Sequence, residues 1–274
     1  MTSTLVTGGT GTLGRRVTGL LSERGHEVRV LSRHARPYAV DLLDARDEPA
    51  LLAALDGVGT VVHCATGPRG DDVAAGRLLA AARRAGVGHL VYISIVGVDR
   101  VPLGYYRVKE RVERLIEEAA ASGGPDCTIL RTTQFHDLVL RVLAGAARAP
   151  FVLPVPAGVS VQPVDVSEVA ARLADLAGSA PAGRVPDMGG PEIRSFPSLA
   201  HAYLDAAARR RRVLSVPLAG KAYAAFRAGG HLTPERAVGT VRFEDFLAAR
   251  RPRVPAGPVS PERRGPGGRR GPRR

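Results

Sequence analysis

A tyrosine and a lysine stand one helical turn apart near the middle of the 274-residue chain, with a serine upstream. Tyr105 and Lys109 fall on one face of a predicted helix, so both side chains can enter the same pocket. Reducing a carbonyl group needs a proton donor beside a hydride donor, and an ammonium near a phenol lowers the pKa of that phenol. Ser94 ends the preceding predicted strand, where its hydroxyl could hold a substrate oxygen. The spacing therefore predicts a Ser-Tyr-Lys site.

The same pattern has a structural interpretation, in which Tyr105 begins a helix and Lys109 is a surface charge. Lysine is rare in this chain, since only Lys109 and Lys221 are lysines among its 39 basic residues. A compact ammonium in an arginine-rich background favours a role that a guanidinium does not fill. Tyr106, three residues before Lys109, is the competing phenol, and we favour Tyr105.

A glycine-rich segment follows the first predicted strand. Gly8, Gly11 and Gly14 have the spacing G-x-x-G-x-x-G, and a helix with an apolar face comes next. The first glycine permits a tight turn, the second lets the backbone approach a pyrophosphate, and the third lets the helix pack near the strand. A purely structural turn is the alternative, but the flanking strand and helix favour phosphate binding at the helix start. The predicted cofactor contacts of this segment are Gly8, Gly9, Thr10, Gly11, Thr12, Leu13 and Gly14.

The end of the second strand indicates which dinucleotide binds. An NAD site usually has Asp or Glu there, whereas this strand runs into Ser32 and Arg33. Arg33 and Arg15 could pair with a ribose 2′-phosphate, which predicts NADP as the cofactor, with NAD as the alternative. Both arginines could equally be surface charges, and Asp41 could be a helix cap. Further cofactor contacts are predicted at Asp41, Leu42, Ala65, Thr66 and Lys109.

Three residues shortly after the predicted strand over 127–131 are candidate substrate contacts, because the nicotinamide end of the dinucleotide is expected there. They are Gln134, Phe135 and His136. A lone histidine is more often a helix-start or packing residue, and this alternative stays open for His136. His63 falls in a buried strand and is interpreted as structural. No His, Asp or Glu cluster has the spacing of metal ligands, so no metal is expected.

The positions of these candidate site residues depend on a regular alternation of strands and helices. Buried apolar runs predict strands over 3–7, 27–31, 60–64, 89–94 and 127–131. Helical spacing predicts helices over 12–24, 47–55, 71–85, 105–121, 165–177, 196–208 and 238–249. Such alternation requires a parallel sheet with helices on both faces. The predicted fold is α/β, a Rossmann doubly wound parallel sheet with a small C-terminal α+β substrate region.

The predicted organisation has three parts. An NAD(P)-binding core covers 1–132, a substrate-binding cap covers 133–249, and a disordered basic tail of Arg, Pro and Gly covers 250–274. The tail supplies most of the net charge of +13. Because no aromatic interleaving or binding motif accompanies this charge, it predicts no specific nucleic-acid partner.

Composition excludes several classes of protein. No long uncharged apolar run is present, so no membrane partner is expected. The first residues show no basic segment followed by an apolar core, which favours the cytoplasm. Cys64 and Cys127 belong to no CxxC pair, which argues against a disulfide framework. A small-molecule substrate is the predicted partner, and monomer and homodimer both stay open.

Three segments resemble the atypical short-chain dehydrogenase/reductases with NmrA-like character: TGGTGTLG, YISIVGVDRVPLGYYRVK and ILRTTQFHD. The resemblance covers about residues 3–249 and implies an NAD(P)-binding Rossmann fold. The residues that match the family's catalytic Ser, Tyr and Lys are Ser94, Tyr105 and Lys109.

The resemblance implies an NAD(P)-dependent oxidoreductase, with NADP favoured. Hydride would pass to or from a small organic substrate of the carbonyl, alcohol or quinone-like kind. The family also contains members that bind the dinucleotide without turnover. The alternative is therefore a non-catalytic sensor that binds NADP and a protein partner.

Overall fold

The computed structural model describes residues 3–67 and 69–250. Its strands are β1 Ser3–Thr7, β2 Val28–Ser32, β3 Tyr38–Ala39, β4 Val58–His63, β5 His89–Ile95, β6 Asp126–Thr132, β7 Val152–Pro156, β8 Ser160–Val161, β9 Gly183–Arg184, β10 Arg194–Ser195 and β11 Arg212–Val216. Its helices are α1 Thr12–Glu23, α2 Glu48–Leu55, α3 Asp71–Arg84, α4 Gly104–Ala121, α5 His136–Ala146, α6 Val166–Ala177, α7 Phe196–Ala206, α8 Lys221–Arg227 and α9 Phe243–Ala249. None of the helices in this part of the chain has the length and apolar character needed to cross a membrane.

Seven parallel strands form the main sheet in the order β3-β2-β1-β4-β5-β6-β9. The chain leaves β1 towards β2 and β3, and then returns to the opposite side of β1 to form β4. This reversal of direction creates a crevice at the carboxyl ends of β1 and β4, the place where doubly wound sheets bind ligands. The predicted α/β Rossmann fold is confirmed.

Helices cover both faces of the sheet because its central strands are apolar on both sides. Leu5 of β1 belongs to the cluster that packs against α2, α3 and α4. The next residue, Val6, belongs to the cluster that packs against α1 and α6. Strands buried on both faces read as continuous apolar runs, which is why the sequence indicated them clearly.

Two elements beyond residue 132, α6 and β9, join the main sheet and its helices. The apolar face of α6, with Val169 and Leu173, packs in the same cluster as Val17 and Leu21 of α1. Strand β9 pairs with β6 and becomes the seventh strand. The packing of the core therefore extends beyond the sequence-based boundary at residue 132.

The rest of the C-terminal region forms a smaller α+β unit. Strand β11 pairs in parallel with β7, and β10 pairs antiparallel with β8. Helices α5, α7 and α9 enclose a third apolar cluster beside β7, with Leu143, Leu199 and Phe246 among its buried side chains. Elements α5, α8 and β11 were not predicted from the sequence, and α9 begins at Phe243, later than the predicted start at 238. The predicted tail beyond Arg250 lies outside the described residues.

Candidate active site

The glycine segment forms the turn between β1 and α1, and its glycines are sterically required. Gly8 has a φ of +65°, the left-handed region that favours glycine. A Cβ on Gly14 would lie 2.2 Å from the Gly8 carbonyl oxygen, and one on Gly9 would lie 2.7 Å from a methyl group of Val30. Gly11 precedes α1, and no side chain caps this helix start. The turn thus brings backbone close to backbone and leaves the helix start open to an anion.

This turn lies directly against the end of β4. A Cβ on Gly8 would come within 2.8 Å of the Ala65 backbone. The Ala65 N–H donates to Thr7 Oγ1 at 3.2 Å, and Thr7 Oγ1 lies 2.7 Å from His63 Nδ1. Ala65 and Thr66, both predicted cofactor contacts, therefore lie beside the glycine turn in the crevice of the sheet.

The residues predicted for the adenosine end lie around β2 and β3. Arg15 and Arg33 are exposed, and neither forms an ion pair with another described residue. Asp41 follows β3, and its Oδ1 accepts from the Leu43 N–H at 3.0 Å, so the side chain closes a local turn. Leu42 is buried in the apolar cluster below the sheet edge.

A chain of polar contacts links α3 and α4 at the mouth of the crevice. Lys109 Nζ lies 3.2 Å from Asp71 Oδ2, and both side chains are buried. Thr66 Oγ1 donates to the same carboxylate oxygen at 2.6 Å, and the Gly67 N–H donates to Oδ1 at 2.7 Å. The Tyr105 hydroxyl lies 3.0 Å from Thr66 Oγ1. The structure therefore brings Tyr105 and Lys109 together through Asp71 and Thr66, in addition to their shared helix face.

The charge on Lys109 persists despite burial. Burial alone lowers the pKa of Lys109, but the oxygen atoms of Tyr92, Tyr105 and Asp71 outweigh it and raise this pKa above its usual value. The ammonium lies 5.2 Å from the centre of the Tyr92 ring and 5.7 Å from that of Tyr105. A fixed cation thus lies behind the Tyr105 phenol.

Three titratable side chains next to the Lys109 ammonium are neutral near pH 7. Burial lowers the pKa of His63 to about 3, and the Lys109 ammonium acts in the same direction. Burial raises the pKa of Tyr92 to about 12 and that of Cys64 to about 12. His63 also stacks on Tyr92, with ring centres 5.5 Å apart, so its predicted structural role agrees with its environment.

Ser94 is the second-last residue of β5, near the carboxyl edge of the sheet, and its side chain lies on the face that α4 covers. Its hydroxyl is buried and has no hydrogen-bond partner among the described residues. No hydrogen bond joins it to Tyr105 in this part of the chain. The side-chain amide of Gln134, after β6, is buried as well and lies next to the Tyr106 hydroxyl, with which it interacts.

Phe135 and His136 differ in position. Phe135 is half-buried against the cluster that includes Val164 and α6, and it precedes α5. His136 is 1% exposed and its Nε2 lies 3.0 Å from the Val241 carbonyl oxygen. Its ring packs against Phe243 and Phe246, with centres 5.7 and 5.0 Å away. The structure therefore does not bring His136 to the crevice. His136 is instead a packing residue at the start of α5.

Two buried carboxylates, Asp71 and Glu113, were not predicted as site residues. Asp71 was seen only as the first residue of a helix, and nothing in the sequence showed that α3 lies against α4. Glu113, one turn beyond Lys109, accepts from Arg131 Nε at 2.8 Å and from the terminal nitrogen Nη2 at 2.5 Å. This buried pair ties α4 to β6 and so positions the helix that carries Tyr105. An acid four residues after Lys109 was the available signal.

Comparison with known proteins places this chain. A family model described as NAD(P)H-binding matches residues 8–175, more than half of the chain. The chain belongs to this family. The predicted membership of the NAD(P)-binding group is confirmed, and the cofactor is a nicotinamide dinucleotide.

Two relatives are reductases. A "(4-alkanoyl-5-oxo-2,5-dihydrofuran-3-yl)methyl phosphate reductase" from Streptomyces griseus is 33% identical over 196 residues, which cover 69% of this chain and 68% of the relative. A divinyl chlorophyllide a 8-vinyl-reductase from Oryza sativa is 29% identical over 225 residues, which cover 69% of this chain and 55% of that protein. The match therefore spans only about half of the plant protein.

Solved structures share the fold. An NADPH-dependent quinone oxidoreductase from Escherichia coli, complexed with NADPH, gives a TM-score of 0.74 at 18% identity, covering 90% of this chain and 99% of the other. A UDP-glucose 4-epimerase from Thermus thermophilus, complexed with NAD, gives 0.67 at 22% identity and covers 89% and 96%. Because the two carry different dinucleotides, the shared fold does not decide between NAD and NADP.

Proposed function

We propose that this protein is an NADPH-dependent reductase whose proton donor is Tyr105. The observation that carries the proposal is the buried Lys109 ammonium, which lies behind the Tyr105 phenol and is joined to it through Asp71 and Thr66. This group lies in the crevice beside the glycine turn. The reductase relatives support the same class of reaction.

The glycine turn fits a dinucleotide. Cβ atoms on Gly8 or Gly14 would fill the space in which backbone approaches backbone, and the start of α1 has no side-chain cap. The pyrophosphate would lie over the backbone N–H groups that open α1. Arg33 and Arg15 are exposed and carry no ion pair with described residues, so they are available to a ribose 2′-phosphate, and this favours NADP. When bound, the reduced nicotinamide supplies hydride.

The chain's own residues supply the proton and the orientation. Tyr105 donates its hydroxyl proton to the substrate atom that becomes negatively charged as hydride arrives. Lys109 stabilises the phenolate that remains, because a buried cation interacts strongly at short range. Ser94 brings an unpaired buried hydroxyl, and Gln134 a buried amide, to the same edge of the sheet, where they orient the substrate oxygen.

The substrate class is a small organic molecule with a polarised double bond. A carbonyl or quinone-like group offers an oxygen for Ser94 and Gln134 and accepts hydride on carbon or on the conjugated ring. Phe135 adds an apolar surface next to Gln134. The names of the two reductase relatives describe an oxo-dihydrofuran ring and a vinyl group, both of which agree with an unsaturated substrate.

The second candidate function is a dinucleotide sensor that binds NADP and a protein partner without turnover. It is favoured by one observation: Lys109 is already paired with Asp71, and Tyr105 already contacts Thr66, so these groups are satisfied without substrate. A sensor would bind NADPH but oxidise it with no member of a panel of quinones, enones and ketones.

The experiment that tests the reductase is the variant Tyr105→Phe, with Tyr106→Phe as its matched control. We expect Tyr105→Phe to lower kcat about 100-fold or more while NADPH binding stays unchanged, because only the proton donor is lost. Tyr106 packs edge-on against Phe226 with ring centres 5.9 Å apart, and its hydroxyl interacts with Gln134, so its variant should lose far less turnover than Tyr105→Phe. NADPH oxidation is followed by its absorbance. Full activity of Tyr105→Phe, or equal loss in both variants, would contradict the assignment.

A further inference from the structure

Asp71 is a buried carboxylate at the centre of the polar chain, and the proposed reduction does not by itself require it. It begins α3 and is 6% exposed. A carboxylate is costly to bury unless it is paired and hydrogen-bonded, and Asp71 meets both conditions through Lys109, Thr66 and Gly67. Two of these partners, Lys109 and Thr66, share the single oxygen Oδ2.

The direction of the hydrogen bonds follows from the number of protons. The Thr66 hydroxyl has one proton, which it donates to the Asp71 carboxylate at 2.6 Å. Its oxygen can therefore only accept from the Tyr105 hydroxyl, which lies 3.0 Å away. The chain of donors runs from Tyr105 through Thr66 to Asp71, and it is consistent only with a protonated Tyr105.

We propose that Asp71 and Thr66 are positioning residues of this site: Asp71 offsets the Lys109 charge and, through Thr66, holds Tyr105 in its protonated, donor form. This inference rests on the proposed role of Tyr105 as proton donor. Without the Asp71 charge, the buried ammonium acts on the phenol uncompensated and favours the phenolate. Without the Thr66 hydroxyl, the phenol loses the partner that fixes its orientation.

The other groups that face the pair do not titrate near neutral pH. They are His63 on β4, Cys64 directly after it and Tyr92 on β5. The pKa of His63 is lowered to about 3, and those of Cys64 and Tyr92 are raised to about 12, in each case chiefly by burial. The neighbouring acid Asp72 is engaged separately, with Arg111 on α4 at 2.6 Å. Formation of the Tyr105 phenolate therefore reports on the Asp71–Lys109 pair.

The composition of the chain makes this measurable without substrate. It contains six tyrosines and no tryptophan, so the ultraviolet absorbance of phenolate is seen without indole absorbance. Because an ordinary tyrosine has a pKa of about 10, each protein is titrated from about pH 8 to about pH 11.5 alongside a partner that also carries Tyr105→Phe, and the difference isolates Tyr105. We expect Asp71→Asn to move the midpoint for Tyr105 about one pH unit lower.

The matched control is Asp72→Asn, which removes the same charge from the adjacent position of α3. It should leave the midpoint where it is in the parent protein. An unchanged or higher midpoint in Asp71→Asn, or an equal shift in both variants, would overturn the proposal. The titration needs no turnover, so it tests Asp71 even if no substrate is found and the proposed function fails.

A second pair of variants keeps the proposal testable if Asp71→Asn does not fold. Thr66→Val removes the hydroxyl, and Thr66→Ser retains it. We expect Thr66→Val to lower kcat about ten-fold or more, and Thr66→Ser to restore most of it, because the hydroxyl that orients the donor is lost in the first variant and kept in the second. An unchanged kcat in Thr66→Val, or an equally low kcat in Thr66→Ser, would overturn the role of Thr66.

Discussion

At the scale of single residues, the site is organised around the one lysine of the Rossmann core. Arginine supplies almost every other positive charge, yet the buried position beside Asp71, Tyr92 and Tyr105 holds a compact ammonium and not a planar guanidinium. The rarity of lysine was the sequence signal for Lys109. Its partner Asp71 gave no such signal, because acids are common at helix starts.

Cofactor choice is also a residue-scale question. Arg33 is exposed at the end of β2 and has no ion-pair partner among the described residues. We expect Arg33→Ala to weaken NADPH binding about ten-fold and to leave NADH binding unchanged, because only NADPH carries the 2′-phosphate. Dissociation constants for both dinucleotides, measured by fluorescence titration, provide the comparison. Equal weakening of both, or no change in either, would show that Arg33 does not bind this phosphate.

At the scale of elements, strands buried on both faces and helices that end at glycine were predicted well. Strand β1 and the helices α1, α3 and α4 carry the predicted glycine turn and the Tyr-Lys pair, and all are present within a few residues of their predicted bounds. These elements are local patterns, and each is visible without knowledge of its neighbours.

The elements that were missed depend on distant partners. Strand β11 follows a run of arginines, and its partner β7 lies about 60 residues earlier in the chain. Strand β9 has two residues, too few for any periodicity. Helix α6 was predicted, but its packing against α1 was not, because an apolar helix face does not indicate which surface covers it. The position of Asp71 beside Lys109 was hidden for the same reason, since it depends on how α3 packs against α4.

At the scale of the whole molecule, several histidines are buried and held neutral. Burial lowers the pKa of His63 to about 3 and that of His231 to about 4, and it also lowers the pKa of His89 and His136. A histidine with a lowered pKa in the folded state binds a proton more readily when unfolded. Its contribution to stability is therefore complete above the unfolded pKa of about 6.5 and is lost as the pH falls from there towards the folded value.

This linkage predicts an acid-sensitive fold. His63 and His231, whose pKa values lie well below this range in the folded protein, should each lower the free energy of unfolding by about 1 kcal/mol per pH unit below about pH 6. Urea unfolding at a series of pH values from about 7.5 to 5 measures the slope. A free energy of unfolding that stays constant over this range would show that unfolding is not coupled to protonation of these histidines.

The central claim is that a dinucleotide lies over the start of α1 in the crevice between β1 and β4. The most direct test is a calorimetric titration with NADPH of the parent protein, Gly14→Ala and Gly19→Ala. A Cβ at Gly14 would collide with the Gly8 carbonyl oxygen at 2.2 Å, whereas one at Gly19, in the same helix, has nothing within 4 Å. We predict saturable one-site binding in the parent and in Gly19→Ala, and a loss of at least about ten-fold in affinity in Gly14→Ala. An absence of binding in folded parent protein, or equal affinity in all three proteins, would contradict the account.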